Sequence, residues 1–182
     1  MVAAVEPSGI LSTNSLEAWL DRPPVGTEWV DGEMIENQGM TLKHSKIQSR
    51  LSTLWRNYVD ENGLGGEVYT EVPCRTVDRG RSPDVAYLTP DLLAQHGDAK
   101  VLMQSFPLIA EIVSPTDFAE DLLTKSQEYL ASGSEEVWLV FPENRWVVIV
   151  TADRQEVIVA GGTAATQKVL LGFSVLVDKL VD

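Results

Sequence analysis

"PLIAEIVSPTD", residues 107–117, places a carboxylate inside a stretch that otherwise reads as a buried strand. In an extended chain Leu108, Ala110 and Ile112 point to one face and Ile109, Glu111 and Val113 to the other, so Glu111 has apolar neighbours either way. Taking an unpaired carboxylate out of water costs roughly several kcal/mol, relieved by a cationic partner, a bound metal or a raised pKa. The rest of the chain has to supply one of these.

C-terminal to this strand lies a helical pattern from about Thr116 to Ser132, stopped by Gly133. At about 100° per residue, Lys125 borders the apolar stripe of Phe118, Leu122 and Tyr129, so its stem can lie along the core with its ammonium at the acidic end of the sheet. Tyr129 itself reads as a core residue. N-terminal to the strand is "SPDVAYLT", where Asp84 comes directly after Pro83 at the start of another apolar run. If the two strands are neighbours, Asp84 and Glu111 converge on one face, and paired acids need a divalent cation, a shared proton or a basic neighbour. A hard cation such as Mg²⁺ suits oxygen ligands and keeps waters that a phosphate can displace.

Further out, "TNSLEAWLDRPP" predicts a short helix, and "TEWVDGEMIEN" a hairpin turning at Asp31-Gly32. The stripe Ile47, Leu51, Leu54, Trp55, Tyr58 predicts an amphipathic helix from His44 to Tyr58. "EVYTEVPCRTV" and "SPDVAYLT", joined by "DRGR", predict an antiparallel pair, and "TPDLLAQHGD" a short helix or loop. "EEVWLVFP", "RWVVIVTAD" and "EVIVAGG" are three further strands, and "LLGFSVLVDKLV" closes the chain with a short apolar segment. Helices and strands alternate without a repeat, which gives an α/β fold with a mixed sheet.

The chain has 182 residues, enough for one domain, expected over 15–182 behind a loose tail over 1–14. Its net charge of -13, from 14 basic and 27 acidic residues, argues against a basic nucleic-acid coat protein and leaves room for an enzyme with a small basic cleft. The lone Cys74 cannot form an intrachain disulfide and reads as a small buried residue. No signal-peptide pattern or membrane-length apolar run is present, so a cytoplasmic protein with no membrane association is expected.

"SPD", "EIV" 27 residues later in a buried strand, and a helix reading "K...EYLASGSEEVWLV" together resemble the Uma family of restriction-endonuclease-like proteins, a branch of the PD-(D/E)XK nuclease superfamily. The resemblance extends from "EWVDGEMIE" and "HSKIQSRL" to "LLGFSVLV". It implies a restriction-endonuclease-like fold, with a central mixed β-sheet flanked by helices and additional antiparallel strands, and a Mg²⁺-dependent DNA endonuclease site at which Mn²⁺ can substitute. Carried over, Asp84 is the acid after proline, Glu111 the second acid, and Ile112 lends a main-chain carbonyl to the metal. The usual catalytic lysine is replaced by Val113, and Lys125 on the next helix fills its role. Glu33, in the "DGE" pattern, and His44 are auxiliary candidates near the metal.

Ser114 and Thr116 are candidates for phosphate binding at the start of the Lys125 helix, against a plain capping turn with Asp117. Lys43, Lys46, Arg50, Arg79 and Arg81 are candidate phosphate-backbone contacts, against an ordinary solvated face. A homodimer is expected from the apolar C-terminal strands and from the need to cut two strands. The competing readings are a catalytically inactive nuclease-fold protein that binds DNA or a protein partner, and a structural ion-pair network.

Overall fold

The computed structural model describes residues 15–36, 41–115 and 117–182; the expected tail over 1–14 and Thr116 lie outside them. Ser15 caps helix α1 (Leu16–Asp21) by accepting from the Ala18 N–H, and α1 buries Leu16 and Trp19. Strands β1 (Thr27–Val30) and β2 (Glu33–Glu36) form the hairpin at Asp31-Gly32. Both turn residues have positive φ, 52° and 91°, which matches a two-residue hairpin loop. Helix α2 (Leu42–Glu61), capped by Thr41, comes next, then β3 (Glu67–Tyr69), β4 (Cys74–Arg75), β5 (Gly80–Arg81), β6 (Val85–Leu88) and the short α3 (Pro90–His96).

The "PLIAEIV" stretch forms β7 (Leu108–Ile112), and the Lys125 helix is α4 (Ala119–Ala131). The chain continues through β8 (Glu136–Phe141), β9 (Trp146–Thr151), β10 (Gln155–Val159), β11 (Thr163–Ala165), β12 (Ser174–Leu176) and α5 (Val177–Val181). Six strands form the central sheet in the order β10-β9-β8-β7-β6-β3. Among the described strands of this sheet only β7 and β8 run parallel, joined by the α4 crossover that such a pair requires.

The alternation in β7 divides the core as the sequence predicts. Leu108, Ala110 and Ile112 pack with Ile47, Leu51 and Trp55 of α2 and Leu180 of α5. Ile109 packs with Leu122 and Tyr129 of α4, and with Val137 and Leu139 of β8. Glu111, two residues from Ile109, therefore points toward α4.

The structure differs from the expected single pair over 67–89. β3 does pair β6, but β4 and β5 turn away into a second sheet, ordered β2-β1-β5-β4. Glu71, at φ 54°, redirects the chain after β3. Gly80 then lies flat against the Trp19 ring, with its ideal Cβ only 2.3 Å from ring carbons. No described helix is long and apolar enough to cross a membrane.

Candidate active site

The β6–β7 register decides where the acids stand. Val85 is opposite Ala110, Ala86 opposite Ile109, and Tyr87 opposite Leu108. Continued by one residue, that register sets Asp84 across from Glu111, and cross-strand partners share a face. Asp84 Oδ2 accepts the main-chain N–H of Ile112 at 2.6 Å and stands 3.1 Å from His44 Nε2 on α2. The hydrogen bond that its ring N–H donates to Asp84, against the opposing effect of burial, raises the proton affinity of His44 above its ordinary value.

Glu111 Oε1 accepts from the Tyr129 hydroxyl at 2.6 Å and lies 3.0 Å from Lys125 Nζ. Both donors come from one face of α4, one turn apart. Burial lifts the Glu111 carboxyl above the usual carboxylate range; Lys125 opposes this, while the charges of Asp84 and Glu28 add to it. The Lys125 ammonium is held protonated, because the attraction of Glu111 and Glu28 outweighs its burial. Val113, at the position where the resemblance puts a lysine, packs beside the apolar cluster under α4, and Lys125 reaches Glu111 from the helix instead.

Glu28 is the partner that sequence reading missed. It is buried on β1, where Oε1 accepts from Lys125 Nζ at 3.0 Å and from the Ser82 N–H at 3.2 Å, and Oε2 from Arg81 at 2.8 Å. The Lys125 and Arg81 charges outweigh burial and hold its pKa below the ordinary value. The signal was available: "TEWV" sets an acid among apolar strand residues as "IAEIV" does. Glu33, the expected auxiliary acid of this hairpin, is exposed beyond the turn and lines neither cavity that contains Glu111, so the hairpin contributes Glu28 in its place.

Gln48 on α2 was missed too. Its Nε2 donates to Glu71 Oε1 and to the Asp84 carbonyl, both at 3.0 Å, and so ties the Pro83-Asp84 segment to the turn after β3.

The expected basic contacts are mostly engaged elsewhere. Arg79 pairs with Asp31 and Glu128, and Arg81 with Glu28 and Glu128. Lys43 binds Glu143 and the Pro142 carbonyl, Lys46 the Asp182 carbonyl, and Arg50 the carbonyls of Lys179 and Leu180. Ser114 donates its N–H to Asp117 Oδ2 at 2.8 Å, which is the capping-turn arrangement. Cys74 is buried, as expected.

Asp84, Glu111, Ile112, His44 and Lys125 all border one cavity of about 250 Å³. Among the described residues no three His, Cys, Asp or Glu side chains already form a metal cluster. Mg²⁺ does not require one, since it is commonly held by one or two carboxylates with water filling the other positions. Two acids set opposite each other, one of them with its proton affinity raised by burial and by its neighbour's charge, are chemically suited to such an ion.

The family described as "Uma2: Putative restriction endonuclease" matches residues 14–178. A crystal structure of "a putative nuclease belonging to DUF820" from Anabaena variabilis ATCC 29413 matches with a TM-score of 0.81 at 18% identity, over 92% of this chain and 97% of that one. At that identity the likeness concerns the fold. No curated protein matches the chain.

Proposed function

The chain belongs to the Uma2 family, and from that premise we propose that it is a metal-dependent DNA endonuclease of the PD-(D/E)XK type. Asp84 and Glu111, with the Ile112 carbonyl, would hold Mg²⁺, with Mn²⁺ as a substitute. The cation supplies Lewis acidity toward the phosphate and lowers the pKa of a coordinated water.

The remaining work falls to the chain's own groups. Lys125, kept protonated by its two carboxylates, donates hydrogen bonds to the charge that develops on the phosphate. The Tyr129 hydroxyl fixes the rotamer of Glu111, while the Ile112 N–H and His44 fix that of Asp84. His44 Nδ1 is buried without a hydrogen-bond partner among the described residues, and Nε2 carries the contact to Asp84. The observation that carries this reading is the meeting of Asp84, Glu111 and Lys125 at one cavity, from two adjacent strands and the crossover helix.

One observation favours the alternative, a nuclease fold that binds without cutting. Lys125 bridges Glu28 and Glu111 at 3.0 Å each, and a buried cation so placed is also a complete structural ion pair.

Nicking of supercoiled plasmid in Mg²⁺ or Mn²⁺ separates the two. The nuclease reading expects wild type to nick, with Lys125→Ala and Glu111→Ala slower by about a hundredfold or more. Equal activity in all three proteins would assign the nicking to a contaminant, and a wild type without activity would leave the binding role.

A further inference from the structure

Three cavities share lining residues in succession, two beside the β1–β2 hairpin and the third beside the segment 21–26 that leads into it. The central one contains Asp84, Glu111 and Lys125. It shares Ile35, Glu111, Ile112, Asp117 and Lys125 with a cavity of about 470 Å³ beside the start of α4. On its other side it shares Gly26, Glu71 and Ser82 with a cavity of about 330 Å³. Their overlapping linings join them into one groove, in which Asp84 borders the central cavity and Glu111 borders both that cavity and the one beside α4.

The two ends have different chemistry. At the α4 end Phe118 is 74% exposed, an aromatic ring facing water at the mouth of a polar site. At the other end stand Arg22 and Lys100, with Asp21 and with Glu71, which is bound by Gln48. Ten of the chain's 14 basic side chains are held by carboxylates or carbonyls. Arg22, Arg75, Lys100 and Lys179 have no such partner among the described residues, and two of those four line this single cavity. In a chain of net charge -13, two unengaged cations at one end of an acidic groove are complementary to an anion that continues beyond the central site.

We propose that the groove takes an extended single-stranded segment of nucleic acid. One phosphate lies at Asp84, Glu111 and Lys125, a neighbouring base stacks on Phe118, and a phosphate on the other side is met by Arg22 and Lys100. This rests on the phosphodiesterase reading and adds the substrate class to it. Two arguments select a single strand over a duplex. Glu111 is only 7% exposed, beneath the hairpin, so the reacting phosphate has to be lowered into a narrow groove, which a flexible strand permits and a stiff cylinder does not. A duplex also carries a charge about every 1.7 Å of its axis and one strand half as much, so a strongly acidic protein repels the duplex more.

The test is fluorescence anisotropy with a short fluorescein-labelled oligodeoxythymidine and with a duplex of equal length, in Ca²⁺ so that binding is read without turnover. The oligothymidine is expected to bind at least about tenfold more tightly than the duplex. Arg22→Ala/Lys100→Ala should weaken it and flatten the log-affinity against log-salt slope by about 1.4. Phe118→Ala should weaken it about tenfold and leave that slope unchanged. Arg154→Ala/Lys179→Ala removes the same charge away from the groove and should bind as wild type. Equal or tighter duplex binding, or an equal loss in the control double variant, overturns the proposal. Plasmid nicking that depends on Lys125, in a protein that prefers duplex, sinks the groove and spares the nuclease; groove-dependent binding of the strand without any nicking does the reverse.

Discussion

Glu136, at the start of β8, accepts from Trp138 Nε1 and from the main-chain N–H groups of Gln167 and Lys168, so its charge is absorbed by fixed donors. Glu111, one strand away and also buried, has a phenol and an ammonium shared with Glu28, with a second acid across the strand pair. The first is a structural carboxylate; the second faces another acid and shares its cation. Both look alike in the sequence, because an apolar strand shows that an acid is buried without showing what meets it. Glu28 stands between these cases: replacing it with Gln leaves Arg81 and Lys125 buried without their shared counter-charge. Chemical denaturation of Glu28→Gln should show a loss of about 3 kcal/mol, and unchanged stability would mean that the network rearranges freely.

Among the elements, α4 does two jobs. Its inner face delivers Lys125 and Tyr129 to Glu111, and Glu128 ties it to the small sheet through Arg79, Arg81 and Thr76. Burial opposes ionisation of Glu128, but its bonds from Arg81 and the others outweigh that and bring its pKa down to about 2 from an ordinary 4.5. A carboxyl depressed on folding contributes stability above its unfolded pKa and loses it as the pH falls toward the folded one. The contribution is therefore present above pH 4.5 and vanishes toward pH 2. Glu128→Gln should unfold more easily at neutral pH and show a flatter decline of melting temperature through this window.

Helices α1, α2 and α4, the Asp31-Gly32 hairpin and the parity of β7 could be read from periodicity and turn chemistry, which are local, whereas the closing helix α5 read only as an apolar segment. The departure of β4 and β5 into a second sheet could not, because it depends on Trp19 finding Gly80 across 61 positions of sequence. Gly80→Ala tests that packing: the added methyl strikes the ring and should cost about 1–3 kcal/mol of stability in thermal unfolding.

For the whole molecule, the acidic balance and the site make opposite demands. A chain of net charge -13 has most of its cations tied down, and it places two acids opposite each other at one end of two inner strands of the central sheet. Such a pair is costly unless something positive answers it, and Lys125 is already shared with Glu28. Because burial raises the proton affinity of Glu111, protons compete with any cation there, and metal affinity should fall as the pH drops below neutrality. Titration calorimetry with Mn²⁺, on wild type and on Asp84→Ala shown by circular dichroism to be folded, addresses the site without requiring a substrate. Wild type should give a saturable heat that disappears in the variant; no heat in wild type, or the same heat in both, would rule out a metal site at Asp84 and Glu111.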